Sequence, residues 1–314
     1  MGDAGVDGDD GWAQRLGAAI DAQPPCASLV DAVRPMAGLT FEDSGGNIQR
    51  LDFGQVKAVL RQNRRRMCDI LRREGCGDAL TEDYALAIFL YTADQPFRIY
   101  QLVNARMRAP SRSDPSAPDG LSAQLRQCLP YISFLREALL ALPPVFHHEG
   151  RCFRGVKWAY PNCGRQVDGS WAMEHEPGRH FPIGRQLRWY EFKSASTNFS
   201  TMYEECFCGD RGARTIFVIE NVRGYRIQSF SAIPDEQEVL FLPNTRFQVS
   251  NVQQKLKPEH LLEDAAPGGF PDEICLTSAD VEVAQAVPKD LMLKLGRQQI
   301  NDDPSALLGA LLRR

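Results

Sequence analysis

The sequence predicts an α+β fold, with helices first and sheet second. Two observations point there. Apolar residues recur at helical spacing over roughly the first 145 residues. After about position 150 the text changes to short runs rich in β-branched and aromatic residues. A third observation excludes the main alternative: no Gly-rich phosphate loop or alternating strand–helix order marks a doubly wound sheet. At 314 residues, 43% hydrophobic and 24% charged, the chain can bury a real core. Disordered, collagen-like and coiled-coil classes are excluded.

The elements follow in order. Residues 1–25 are rich in Gly and Asp and end in Pro24-Pro25, which predicts a flexible tail. Residues 26–75 read as a helical extension of unassigned role. Within it Gln55 to Arg73 is helical and carries Arg61, Arg64, Arg65, Arg66, Arg72 and Arg73. These make either a basic docking face or a solvated helix face, and the lack of interleaved aromatics favours the second. Thr81-Glu82-Asp83 caps a helix running through Ala85, Ile88, Phe89 and Tyr91. Another helix spans Phe97 to Met107, and a Pro/Ser/Asp loop fills Arg108 to Ser122. Leu125, Leu129, Ile132, Leu135, Leu139 and Leu142 mark a helix that Pro130 is expected to bend or restart. Expected strands are Arg151 to Val156, Trp189 to Ser194, Thr215 to Glu220, Tyr225 to Phe230, Glu238 to Leu242, Thr245 to Val252 and Ile274 to Thr277. Loops fill 161–184 and 258–271, and the tail beyond Pro288 is helical or frayed. The expected division is a tail (1–25), an extension (26–75), a catalytic region (76–257) and a C-terminal extension (258–314).

Charge narrows the partners. The chain has 36 basic and 40 acidic residues, net −4, so no general nucleic-acid role is expected. Only 7 of the 36 basic residues are Lys, which leaves 29 Arg. The longest apolar run, Ala85 to Tyr91, is far short of a membrane span. Asp3, Asp7, Asp9 and Asp10 argue against a secretory signal, and Val6 replaces the Ser/Thr of a myristoylation motif. A cytoplasmic protein is expected, with delivery to another cell by a non-classical route left open. The nine Cys are odd in number and scattered, which suits reduced core thiols. Cys206 and Cys208 lack a second pair, and His147, His148, Cys152 and Cys163 follow no ligand spacing, so no metal is expected.

Three stretches could carry chemistry. In Asp235-Glu236-Gln237-Glu238, two carboxylates precede the apolar strand from Val239. If the extended conformation reaches back to Glu236, the two Glu share a face, about 6–7 Å apart at Cα. One could then stabilise developing positive charge while the other orients a nucleophile. The same residues also suit a polar turn capping a strand. In Phe153-Arg154-Gly155, an Arg sits inside an apolar strand beside a Gly that allows close backbone approach. Arg suits a diphosphate through its planar fork, and it also suits a structural role at a strand edge. In Phe192-Lys193-Ser194-Ala195-Ser196-Thr197, clustered hydroxyls could bond a ribose or fix a carboxylate, or simply make a turn.

In this order, Arg154, Ser194-Ala195-Ser196 and Glu236-Gln237-Glu238 resemble the Arg / Ser-Thr-Ser / Glu-x-Glu signature of toxin-like mono-ADP-ribosyltransferases. The local text is most similar to the arginine-specific eukaryotic branch. Leu142-Pro143 ahead of Phe153-Arg154-Gly155 and the passage from Phe230 to Leu240 carry that likeness, as does Ala87 to Thr92. The resemblance covers about 80–252. Ala195 stands where the family usually has Thr.

The resemblance implies helices packed on two antiparallel-rich sheets around an NAD cleft. It implies NAD as co-substrate, with no metal, and a protein acceptor presenting arginine. Glu238 would stabilise the ribosyl cation and Arg154 would hold the phosphates. Gly155, Phe192 and Ser196 would contact NAD, and Ser194 would fix the ribose and orient Glu238. Glu236 would align the acceptor guanidinium, and the turn from Phe230 would touch the protein acceptor. NAD hydrolysis on the same scaffold is one alternative; a non-catalytic NAD- or protein-binding module is the other. The many Arg add an expectation of self-modification within Arg61 to Arg73.

Overall fold

The chain is described by a computed structural model. It covers residues 10–279 apart from 43–45, 109–115, 118, 161–174, 258–259 and 262–266. The described residues up to Ser278 form one compact unit. Cys163, the tail beyond Pro288 and parts of the three expected loops fall outside the described residues.

Among the described residues the helical half comprises α1 (Asp10–Asp21), α2 (Leu29–Val33), α3 (Phe53–Arg73), α4 (Glu82–Thr92), α5 (Ile99–Met107) and α6 (Ala123–Leu140). A small hairpin, β1 (Thr40–Glu42) with β2 (Ile48–Arg50), lies between α2 and α3. Local chemistry sets the starts. The Asp52 side chain accepts from the amides of Gly54 and Gln55, Thr81 from Tyr84, and Ser122 from Leu125. Each satisfies an orphan donor of a first turn. Every residue of α4 from Ala85 to Thr92 is buried, so this helix is the centre of the bundle. Pro130 lies inside α6, which runs through it without restarting.

The expected tail contains α1. Trp12, Leu16 and Ile20 are buried, at the i, i+4, i+8 spacing that aligns one helix face. They join the same core as α4 and α6. High Gly and Asp content obscured that stripe.

The second half consists of β3 (His147–His148), β4 (Cys152–Val156), the short α7 (Pro177–His180), β5 (Gln186–Trp189), β6 (Lys193–Ser196), β7 (Thr215–Ile219), β8 (Gly224–Arg226), β9 (Glu238–Phe241), β10 (Thr245–Gln253) and β11 (Asp272–Ser278). They form a nine-stranded sheet in the order β3-β8-β9-β6-β4-β7-β11-β10-β5. Among the described residues only β7 and β11 pair in parallel. β4 and β6 share a single pair, Phe153 with Ser196, so the sheet is two halves joined at a seam.

The expected strand Trp189 to Ser194 is split between β5 and β6, and that split shapes the fold. β5 is an edge strand, while β6 lies five positions away, a flat distance of about 24 Å. Four residue steps reach at most about 14 Å. The sheet must therefore curl until its far half faces its near half. Trp189 sits between them, 4.3 Å from the Phe247 ring, 6.0 Å from Phe217 and 6.2 Å from Phe241. These rings belong to one inter-sheet core. On β9 the pleat alternates, with Val239 and Phe241 in this core and Leu240 against the helices.

Two further expectations change. The strand expected over Tyr225 to Phe230 ends at Arg226, and Ile227–Phe230 turns back into the helical core. The boundaries at 75 and 257 coincide with no break in packing. α1–α3 share the core of α4–α6, and β11 sits between β7 and β10.

Candidate active site

The seam opens a cleft of about 700 Å³ between α4, α5, β4 and β6 and the turn before β9. That volume suits a cofactor-sized ligand. Arg154, Gly155, Phe192, Ser194, Glu236 and Glu238 all line it. The three separated stretches thus converge.

Glu238 opens β9 directly opposite Ser196 in the β6 register, and Ser194 lies diagonally across. The Glu238 carboxyl is 8% exposed. Burial, then the charge of Glu236, push its pKa from 4.5 up to about 8. A hydrogen bond from Ser194 and the charge of Arg154 work in the opposite direction. Arg154 Nη1 donates to the Ser194 carbonyl at 3.0 Å, a side-chain bridge across the seam where the backbone provides one pair.

Glu236 does not reach the cleft by strand alternation. Pro234–Glu236 form a 3₁₀ turn, and Gln237 is left-handed, with φ 47°. Pro234 presets the turn and blocks an extended entry. The left-handed residue then swings the chain into β9, bringing both Glu to one cleft. Gln237 stays outside, where Thr197 Oγ1 donates to its Oε1 at 3.1 Å. Glu236 is partly exposed, and its pKa is raised by burial, then by the charges of Asp94 and Glu204.

Other expected residues land differently. Ser196 is 2% exposed, donates to the Glu236 carbonyl at 2.7 Å and accepts from the Asn198 amide at 3.0 Å. It holds the protein's own loops. Phe230 is wholly buried, 5.4 Å from the Phe146 ring, and does not line the cleft. Ile233, 36% exposed, lines the cleft from that turn instead. Gly155 lines the cleft, yet its missing Cβ serves packing: a Cβ there would lie 2.8 Å from Cys208 Cβ.

The helix expected over Phe97 to Met107 is α5, but its part in the cleft was not expected. Tyr100 and Asn104 of α5 and Arg108, just past its end, line the cleft. Asn104 is 8% exposed; its Nδ2 donates to the Tyr91 hydroxyl at 3.0 Å, while Oδ1 has no partner among the described residues. A poor helix former among Leu102, Val103 and Met107 was the available signal. Lys193, 4% exposed, also lines the cleft, held by Glu191 at 2.9 Å.

Among the described residues no group of three His, Cys, Asp or Glu converges. His148 accepts from Arg226 Nε at 3.1 Å, and burial lowers its pKa. Cys206 is exposed while Cys208 is buried, and all described cysteines are free. Among the described residues no helix is long and apolar enough to cross a membrane.

The family model described as NAD:arginine ADP-ribosyltransferase matches residues 41–265, and the chain belongs to that family. It is therefore an ADP-ribosyltransferase that uses NAD as substrate. In fold it is similar to the type III effector XopAI from Xanthomonas axonopodis pv. citri (16% identity, TM-score 0.52, 85% of this chain and 94% of that one). It is also similar to the ADP-ribosyltransferase HopU1 of Pseudomonas syringae pv. tomato DC3000 (15% identity, TM-score 0.50, 79% and 95%). No curated sequence matches the chain.

Proposed function

We propose that the chain transfers ADP-ribose from NAD to the guanidinium of a protein arginine. One observation carries this reading: Glu236 stands partly exposed at the cleft beside buried Glu238, in the negative field of Asp94 and Glu204. A carboxylate there meets a planar guanidinium with two parallel hydrogen bonds.

Arg154 holds the diphosphate with its fork. Phe192 and the Gly155 main chain flank the nicotinamide end, and Asn104 Oδ1 is an acceptor for a donor on the ligand. The bond from ribose C1′ to nicotinamide breaks with its electron pair leaving on nicotinamide. Glu238, ionised and oriented by Ser194, stabilises the ribosyl cation through the 2′-hydroxyl. A guanidinium nitrogen then bonds to C1′ and gives up a proton to Glu236 or water. On α3, Arg64 is already paired with Glu82 and Asp83, so self-modification falls on exposed Arg61 and Arg65.

The test is incubation with labelled NAD and a simple guanidino acceptor, reading nicotinamide release, acceptor labelling and, by mass spectrometry, the enzyme's own arginines. Glu238→Gln should lower release and transfer by at least ~100-fold. Glu236→Gln should remove transfer while NAD cleavage persists. Undiminished transfer in the Glu236→Gln protein overturns the assignment. Release without any labelling in the unaltered enzyme would make it a glycohydrolase.

A further inference from the structure

The turn carrying Glu236 is held by two groups of the helical half, Thr92 at the rim of the cleft and Arg66 outside it. It runs from Ser231 to Gln237, and its tip, Ile233 to Asp235, is exposed. At its exit Ser196 grips the Glu236 carbonyl. At its start the holding groups come from the helices. Thr92, the last residue of α4, is 8% exposed; its Oγ1 accepts from the Ala232 amide at 2.8 Å and donates to the Phe89 carbonyl at 3.0 Å. Arg66 of α3 lays its guanidinium 5.4 Å over the Phe89 ring and donates through Nη2 to the Ser231 carbonyl at 3.1 Å. Ser231, wholly buried, accepts from the Ile233 amide at 3.0 Å.

We infer that Thr92 and Arg66 are positioning residues that set where Glu236 stands relative to Glu238, and so decide how well an acceptor is aligned. This rests on reading Glu236 as the acceptor-aligning carboxylate. Arg66 does not line the cleft; Thr92 does, but its hydroxyl is engaged by the Ala232 amide and the Phe89 carbonyl. Both fix consecutive backbone groups of one turn, four and five residues ahead of Glu236. Pro234, between them and Glu236, stiffens the link, so a shift at Ala232 is passed on rather than absorbed. Arg66 also gives α3 a part in specificity, because this helix of the N-terminal extension reaches the turn directly.

The experiment measures nicotinamide release and transfer to the guanidino acceptor in parallel, with KM for each substrate. Thr92→Val keeps the shape and removes the acceptor of the Ala232 amide. A part-buried donor left unpaired weakens the turn enough for a loss of about tenfold in transfer. The KM for the guanidino acceptor should rise, and the transfer-to-release ratio should fall. Thr92→Ser keeps the hydroxyl and should restore the transfer-to-release ratio. Arg66→Met should lower that ratio about threefold, since its partner carbonyl stays near solvent, and Arg66→Lys should restore part of it. Equal loss of both activities in Thr92→Val, or an unchanged ratio in Arg66→Met, overturns the inference. If Thr92→Val fails to fold, Arg66→Met on the solvent side decides alone. Glu236→Gln separates the two ideas. Undiminished transfer there removes the reading of Glu236, whereas lost transfer with normal ratios in both anchors removes only the positioning role.

Discussion

Glu238 is asked to be an anion in a place that favours the acid. Its pKa of about 8 means that the folded protein holds a proton there which the unfolded chain releases near 4.5. The folded state binds more protons across that window, so this group's contribution to stability is full below about pH 4.5 and lost as pH rises through 8. Glu238→Gln carries no such proton. Its melting temperature should gain on that of the unaltered protein as pH rises from 4.5 to 8, then run parallel. A pH-independent difference would contradict the burial. Activity runs the other way: kcat/KM for nicotinamide release should climb towards pH 8, because only the carboxylate can face a ribosyl cation. The same residue thus opposes stability and activity across one pH range, as strained functional groups commonly do.

At the scale of elements, β4 and the segment 199–208 show why Gly155 is a glycine. A Cβ would meet Cys208 Cβ at 2.8 Å, its backbone nitrogen at 3.2 Å and Met202 Sδ at 3.3 Å. Backbone cannot yield cheaply, so Gly155→Ala should cost about 1–3 kcal/mol and raise KM for NAD, measured by thermal melts and initial rates. Normal values for both would mean the segment sits elsewhere. The pair Arg154-Gly155 was visible in the sequence because a charge beside a glycine in an apolar strand is locally odd. The helices from α3 to α6 were legible in the sequence, α4 from its cap at Thr81 and α6 from apolar spacing, while the caps at Asp52 and Ser122 were not foreseen. What stayed hidden depends on distant partners. Trp189 to Ser194 has uninterrupted strand chemistry, and only pairing with β10 on one side and β9 on the other breaks it. Glu236 lines one cleft with Glu238, but Pro234 and left-handed Gln237, not a period of two, bring it there. Phe230 reads as surface or core with equal ease until Phe146 is beside it.

For the whole molecule, the helical and sheet layers stand or fall together. α1 buries Trp12, Leu16 and Ile20 in the core that also holds Phe192, Phe230 and Leu240 of the sheet half. At about 1.5–3 kcal/mol per large apolar side chain, losing them removes a large share of the roughly 5–15 kcal/mol that holds a domain folded. A chain starting at residue 26 should therefore give little folded protein, judged by its melting transition and nicotinamide release. One ending at 257 should also fail, because β10 and β5 lose the strand that joins them to β7. One ending at Ser278 should keep both. A cooperative melt and normal release from residues 76–257 would show that the catalytic half is autonomous after all.

The proposed binding mode has a mechanical consequence. Backbone pairing ties the two sheet halves at one point, with Arg154 on one side and Glu238 on the other. If Arg154 takes the phosphates and Glu238 the ribose, as proposed, NAD lies across that joint as a splint, and the splint leaves with the product.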